Sequence, residues 1–83
     1  MLMRTVPVKL ADIYVPARWK GTRDATKVAS LAESILEVGQ TTPIQVRKDA
    51  QRYVLVSGYH RMEAMRELGE DTIQALVVAS PKT

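Results

Sequence analysis

A strand that ends in a glycine turn and leads directly into a helix is the feature that most constrains this chain. Residues 53–56 form an uninterrupted apolar run, which is typical of a strand with neighbours on both sides. Ser57 and Gly58 follow, and either can serve as the N-cap of a helix. Helical spacing then appears in three apolar residues, Met62, Met65 and Leu68. Gly69 suits the C-terminal cap, so the sequence predicts a strand, a tight turn and a helix over about 59–68.

The first turn of this predicted helix contains His60 and Arg61. The N-terminus of a helix offers free N–H groups and the positive end of the helix dipole. A cation there is mildly unfavourable unless an anion lies beside it. Residues 57–61 therefore indicate a phosphate site. The alternative is that His60 and Arg61 are solvated residues of an ordinary surface helix.

Two further elements are predicted before this turn. Residues 6–10 indicate a short edge strand, because Pro7 has no N–H to donate within a sheet, and residues 10–13 indicate one helical turn. Asp24 suits the N-cap of a helix over 25–38, which Gly39 would end. The predicted buried stripe of that helix comprises Val28, Leu31, Ala32, Ile35 and Leu36.

The second half of the chain predicts a hairpin and a last strand. Residues 44–47 alternate apolar and polar side chains, residues 48–51 favour a turn, and residues 52–56 form the returning, central strand. Residues 72–79 indicate a final strand, and residues 80–83 a polar tail. The order of elements predicts one α+β domain over 1–83, with a core of about 6–78 and two main helices covering a small mixed sheet.

Composition excludes several classes of function. The chain has no cysteine, which excludes disulfides, thiolate catalysis and zinc–thiolate sites. It has no apolar run that could span a bilayer and no signal-peptide pattern, so we predict a cytoplasmic protein without membrane contacts. The formal charge of +3 suits an anionic ligand but does not identify a nucleic-acid binder.

Two polar groups precede the hairpin. Residues 14–23 have no periodicity and are predicted to be a basic loop around Trp19; its ring either covers the core or belongs to a loop that covers a ligand. Lys27, Ser30 and Ser34 share a helical face, which periodicity alone assigns to solvent. The first turns of the helices and the loop before the hairpin are expected to converge on one side of the domain.

Three segments, in this order, resemble the ParB-like N-terminal domain, a fold shared with sulfiredoxin and the ParB-like nucleases. They are the helix segment 27–35, the turn 39–43 with strand 44–47, and the box 57–61 followed by Glu63 and Ala64. The resemblance extends over about residues 6–78.

The sulfiredoxin branch implies a nucleotide site. Sulfiredoxins have a Gly-Cys-His-Arg box in which the His and Arg bind ATP phosphates and the Cys performs the redox chemistry. Gly58, His60 and Arg61 match this box, whereas Tyr59 replaces the Cys, so sulfinic-acid reductase activity is not expected. Further nucleotide contacts are implied for Lys27, Ser30, Ser34, Thr41, Thr42 and Arg18.

The ParB branch implies CTP, but through a Gly-Glu-Arg-Arg box that this chain departs from at Tyr59 and His60. Partition ParB proteins also have helix-turn-helix and dimerisation domains, for which 83 residues leave no room. DNA binding by that route would need a missing part of the chain or a separate DNA-binding partner protein.

Two functions are therefore expected to compete. The first is binding of ATP or CTP, with Mg²⁺ bridging the phosphates, Glu63 as the acidic candidate for the metal, and NTP hydrolysis or phosphotransfer as the accompanying chemistry. The second is a DNA-associated partition or transcription module, or a nuclease, with a phosphate-contacting surface. That surface would comprise Arg18, Lys20, Arg23, Arg47, Lys48 and Arg52. A nuclease ranks low because the sequence has no clear carboxylate cluster for two metals. The sequence does not specify which nucleotide base is bound or the oligomeric state of the protein.

Overall fold

A computed structural model describes residues 5–78 as one mixed five-stranded sheet with helices. The strands are β1 (Thr5–Lys9), β2 (Ile13–Tyr14), β3 (Ile44–Asp49), β4 (Arg52–Ser57) and β5 (Thr72–Val78). The helices are α1 (Ala17–Lys20), α2 (Ala25–Val38) and α3 (Tyr59–Glu67), and a 3₁₀ turn spans Leu10–Asp12. The α+β class, the mixed sheet and the two main helices are confirmed. The predicted polar tail lies outside the described residues, as does the end of the last strand at Ala79.

The sheet has the order β1-β5-β3-β4-β2. β3 pairs parallel with β5 and antiparallel with β4, whereas β2 pairs parallel with β4. β1 lies at one edge, antiparallel to β5, as Pro7 predicted. β4 has a neighbour on both sides, β3 and β2, so the central position predicted for residues 52–56 is confirmed. The turn of the hairpin is shorter than predicted, because Lys48 and Asp49 still pair with β4.

Helix α3 connects β4 to β5 and must cross β3 to do so, because β3 lies between those strands. It contacts β3 and β5, and α2 packs against α3. Side chains of the sheet, of α2 and of α3 are buried; the most fully enclosed large ones are Ile44, Leu55, Met62, Ile73, Val28 and Val46.

Helix α2 has the predicted ends but not the whole predicted stripe. The Asp24 carboxylate accepts hydrogen bonds from the N–H groups of Thr26 and Lys27, and Gly39 follows the helix at φ +78°. Val28 is buried, whereas Leu36 is 73% exposed, so its predicted burial is wrong. At 100° per residue, Leu36 lies about 80° around the axis from Val28 and faces solvent.

The predicted loop 14–23 is also wrong in part. Ile13 and Tyr14 pair with Tyr53 and Val54 as strand β2, and α1 makes one helical turn after Pro16. A strand of two residues is too short to show a periodicity. Its parallel neighbour lies about 40 residues away along the chain, so the local sequence does not reveal the pairing.

Candidate functional site

The turn into α3 requires a glycine. Gly58 is the N-cap with φ +97°, and no side chain caps the helix. A Cβ built on Gly58 would lie 2.5 Å from Ile44 Cγ2 and 3.1 Å from Ile44 Cα. The first hydrogen bond of the helix is donated by Met62 N–H to Gly58 O, at 2.9 Å. The N–H groups of residues 59–61 therefore have no partner within the helix and point away from its N-terminus.

A cleft of about 420 Å³ opens in front of these N–H groups. Its lining residues are Trp19, Lys27, Ser30, Leu31, Gly58, Tyr59, His60 and Arg61. Among the described residues the lining contains two permanent cations, Lys27 and Arg61, and no carboxylate. We refer to it as the basic cleft. Its combination of cations, a hydroxyl and a helix N-terminus can bind an anionic group such as a phosphate.

The basic cleft unites two parts of the sequence that lie about 30 residues apart. It brings Lys27 and Ser30 of α2 together with the box at the start of α3. It does not include every residue for which the resemblance implied a contact. Those outside its lining are Ser34, Thr41, Thr42 and Arg18. Ser34 is exposed one turn beyond Ser30, and the Arg18 guanidinium lies 5.5 Å from the centre of the Trp19 ring.

His60 lines the cleft, and its ring makes contacts that the sequence did not predict. Its Nε2 is 3.1 Å from both the carbonyl oxygen of Thr22 and the N–H nitrogen of Asp24. One nitrogen serves only one of these at a time: with a proton it donates to Thr22, and without one it accepts from Asp24. A phosphate contact from this ring would therefore have to come from Nδ1.

Glu63 does not lie on the basic cleft. Its Oε1 is 3.0 Å from Arg23 Nε, and its Oε2 is 3.3 Å from Arg66 Nε. It borders a second cleft of about 510 Å³ beside Lys20 and Arg66. Within residues 5–78 no three His, Asp or Glu side chains converge on a point that could bind a metal. Because both carboxylate oxygens already pair with guanidinium groups, Glu63 is poorly suited to the Mg²⁺ role considered above.

Tyr59 and Trp19 form a wall of the basic cleft. The two rings stack at 24° with their centres 6.1 Å apart, and Tyr59 is a buried member of the core. Trp19 packs against the same core. Its Nε1 is buried and has no hydrogen-bond partner among the described residues. The ring thus combines both alternatives considered for the basic loop, because it covers the core and lines a cleft.

Sequence reasoning missed two polar residues that connect distant elements. Arg23 was predicted to face DNA, but its guanidinium pairs with Glu63 and, at 2.9 Å, with Glu67. The hydrogen bonds to these two carboxylates raise the pKa of Arg23. Gln40 bonds to both the N–H and the C=O of Gln74 and so fastens the loop before β3 to β5. No periodicity marks either residue in the sequence.

The remaining basic residues of the predicted DNA surface divide into two groups. Arg18 and Lys20 belong to α1, whereas Arg47, Lys48 and Arg52 belong to the β3–β4 hairpin. Two of the hairpin cations lie over aromatic rings: Lys48 Nζ is 4.6 Å from the centre of the Tyr53 ring, and Arg52 Cζ is 4.2 Å from that of Tyr14. None of the helices in residues 5–78 has the length and apolarity needed to traverse a bilayer.

Comparison with known proteins identifies the family. The model of the ParB N-terminal domain matches residues 3–83. Stage 0 sporulation protein J of Bacillus subtilis is 35% identical over 71 residues, which are 84% of this chain and 25% of that protein. The chloroplastic/mitochondrial sulfiredoxin of Arabidopsis thaliana is 35% identical over 72 residues, which are 87% of this chain and 58% of that protein. The chain thus spans a quarter and somewhat over half of the lengths of these two relatives.

Solved structures show the same fold. The crystal structure of the Arabidopsis thaliana sulfiredoxin has a TM-score of 0.84 at 33% identity, covering 92% of this chain and 85% of that one. The truncated chromosome-partitioning protein ParB of Caulobacter crescentus, complexed with CTP-γ-S, has a TM-score of 0.78 at 24% identity, covering 94% and 46%. A free serine kinase in complex with AMP has a TM-score of 0.76 at 17% identity, covering 94% and 32%.

Proposed function

The chain belongs to the ParB N-terminal domain family, and from this premise we propose that it binds a nucleoside triphosphate, ATP or CTP, in the basic cleft. The single observation on which the proposal depends is the convergence of Lys27 and Arg61 on the uncapped N-terminus of α3. Structures of the same fold have been solved with CTP-γ-S and with AMP, which supports a nucleotide as the anion.

The proposed contacts follow from the chemistry of each lining group. The phosphates accept hydrogen bonds from the N–H groups of residues 59–61, as anions do at helix N-termini. Lys27 and Arg61 neutralise their charge, with the planar guanidinium suited to paired contacts. Ser30 bonds to the sugar or a phosphate, and the base extends along α2 towards Ser34. Thr41, Thr42 and Arg18 lie outside the lining of the basic cleft and are given no nucleotide contact.

The same groups favour slow phosphoryl transfer or hydrolysis, because that chemistry depends mainly on positioning and charge stabilisation. No step is assigned to Mg²⁺, since Glu63 is engaged by Arg23 and Arg66. We propose that a Mg²⁺ ion, when present, is held by the nucleotide phosphates.

Nucleotide titration is the test. Trp19 is the only tryptophan and lines the basic cleft, so its fluorescence reports binding there directly. ATP, CTP, GTP and ADP are titrated with and without Mg²⁺, and phosphate release is followed in parallel. We expect saturable binding of ATP or CTP that Lys27→Gln weakens.

The matched control is Lys20→Gln, which removes a lysine from the second cleft and not from the basic cleft. Equal effects of the two substitutions would assign binding to overall charge and contradict the proposed site. Absence of saturable binding by all four nucleotides would contradict the proposed function.

The hairpin cations support a second candidate, contact with DNA. Arg47 and Arg52 belong to the paired strands of the hairpin, share one face of it and do not line the basic cleft, whereas Lys48 lies on the other face. The chain would then act as a DNA-associated partition or transcription module, alone or through a DNA-binding partner protein. Binding to random DNA over a salt series tests this, because the slope of log affinity against log salt counts phosphate contacts. A slope that Arg47→Gln and Arg52→Gln leave unchanged would contradict this surface.

A further inference from the structure

One face of α3 is engaged by the three residues that lead into α2. His60, Glu63 and Glu67 are spaced three and then four residues apart, so their side chains share one stripe of the helix. All three contact residues 22–24. This stripe is distinct from the apolar stripe of Met62 and Met65, which enters the core.

Three hydrogen bonds at a time connect the stripe to this short segment, two from Arg23 and one made by His60. His60 Nε2 is 3.1 Å from Thr22 O and from Asp24 N. Arg23 lies between Thr22 and Asp24 in the sequence. It donates from Nε to Glu63 Oε1 at 3.0 Å and from Nη2 to Glu67 Oε1 at 2.9 Å. A lone exposed ion pair contributes little. Here one guanidinium joins two carboxylates, and His60 Nε2 also bonds to the backbone on one side of Arg23 or the other.

The segment that these contacts fix is the start of α2. Asp24 is the N-cap, and its carboxylate accepts from the N–H groups of Thr26 and Lys27 at 3.0 and 3.2 Å. Lys27 lies in the first turn of α2 and lines the basic cleft opposite the first turn of α3. The location of residues 22–24 on α3 therefore sets where Lys27 lies relative to Arg61.

We infer that Arg23 is a positioning residue: through Glu63 and Glu67 it holds the start of α2 against α3, and it thereby sets Lys27 against Arg61 for an anionic ligand. The part of this inference that concerns the ligand rests on the proposed function. Arg23 itself is not among the lining residues of the basic cleft.

The chain offers a matched control in Arg66. Its Nε pairs with the same Glu63, at 3.3 Å, but residues 22–24 are not among its ion-pair partners. Arg23→Gln and Arg66→Gln thus remove the same charge from the same carboxylate, and only the first detaches the segment. Arg23→Lys keeps the charge but loses the planar fork that reaches two carboxylates, so partial rescue is expected.

The first measurement is amide hydrogen exchange in the protein without ligand. Arg23→Gln is expected to speed exchange at Asp24, Thr26 and Lys27 by about three- to tenfold, because the start of α2 opens more often. Arg66→Gln is expected to leave these amides unchanged. Equal exchange in the two variants would overturn the inference, whether or not the protein binds nucleotides.

The second measurement is a double-mutant cycle on ATP or CTP binding. Arg23→Gln is expected to weaken binding by about three- to tenfold in the wild-type background and to have no effect when Lys27 is already Gln. An undiminished effect in the Lys27→Gln background would overturn action through Lys27. If the wild type binds neither nucleotide, the proposed function fails, and the exchange experiment alone decides whether Arg23 positions Lys27.

Discussion

At the scale of single residues, Gly58 is constrained by two independent demands. Its φ of +97° is one that residues with a Cβ rarely adopt, and a Cβ would also collide with Ile44 of β3. The two demands meet because α3 must turn back over β3 immediately after β4 ends. The glycine that exposes the N–H groups of α3 is thus also the one that lets the helix pack closely.

Alanine substitutions at two other glycines allow the backbone strain to be measured apart from the steric collision. Gly69 has φ +76° with open space around it, and Gly21 has φ −76° with open space. We expect Gly58→Ala to lower the free energy of unfolding by about 2–4 kcal/mol, from backbone strain plus overpacking. Gly69→Ala should cost about 1 kcal/mol, from strain alone.

Urea denaturation of the three alanine variants measures these differences, with Gly21→Ala expected within about 0.5 kcal/mol of wild type. A Gly58→Ala variant as stable as Gly69→Ala would show that the Ile44 contact is relieved without cost.

Arg61 is the residue on which phosphate affinity should depend most. It is half-buried beside the N-terminus of α3 and lines the basic cleft. We expect Arg61→Ala to weaken nucleotide binding by about 1.5–3 kcal/mol, the range for a hydrogen bond to a charged group. The measurement is the Trp19 fluorescence titration, after circular dichroism has established that the variant is folded. Unchanged affinity in a folded variant would exclude the assigned role.

At the scale of elements, α2 shows how far a helical pattern extends. The helix packs against α3, and Val28 near its start is 1% exposed. In its last turn Ile35 packs against the core, whereas Leu36 and Val38 are 73% and 66% exposed. Leu36 and Val38 therefore contribute little to the core, although the amphipathic pattern includes Leu36.

Two alanine substitutions test this difference between the start and the end of α2. Val28→Ala should lower the free energy of unfolding by about 1.5–3 kcal/mol, because it removes buried methyl groups and leaves a cavity. Leu36→Ala should change it by less than about 0.5 kcal/mol. Thermal denaturation of both variants gives the comparison, and a large loss for Leu36→Ala would mean that the end of α2 is covered in solution.

At the scale of the whole molecule, one fold can carry different functions, so the function has to be argued from the site. In the sulfiredoxin box that residues 58–61 resemble, a cysteine stands at the position of Tyr59. Tyr59 is 5% exposed and stacks on Trp19, so it acts as a wall between the core and the cleft. A phenol cannot form the sulfur-linked intermediates of sulfinic-acid reduction.

We therefore expect no reduction of a sulfinylated peroxiredoxin, even with ATP, Mg²⁺ and thiol supplied. Mass spectrometry of the peroxiredoxin cysteine is the measurement, with an authentic sulfiredoxin as the positive control. ATP-dependent return of the thiol would contradict this prediction.

Local pattern was enough to determine much of this protein. The strand–glycine–helix unit, the helix capped by Asp24, the hairpin and the edge strand at Pro7 all follow from periodicity and caps, which are properties of neighbouring residues. The family motif adds the pairing of Lys27 and Ser30 with the box of α3. Strand β2 depends instead on pairing with β4, which is distant in sequence. The exposure of Leu36 depends on how far the packing of the other elements extends over α2.

Tertiary structure alone decided the partners of the polar residues. His60 was expected to face a phosphate, but its Nε2 contacts residues 22 and 24, and Arg23, expected on a DNA surface, pairs with Glu63 and Glu67. Apolar residues repeat because a whole face must be buried, so their role is visible locally. A charged side chain is satisfied by one or two atoms at about 3 Å, and which atoms these are is known only once helices α2 and α3 have packed together.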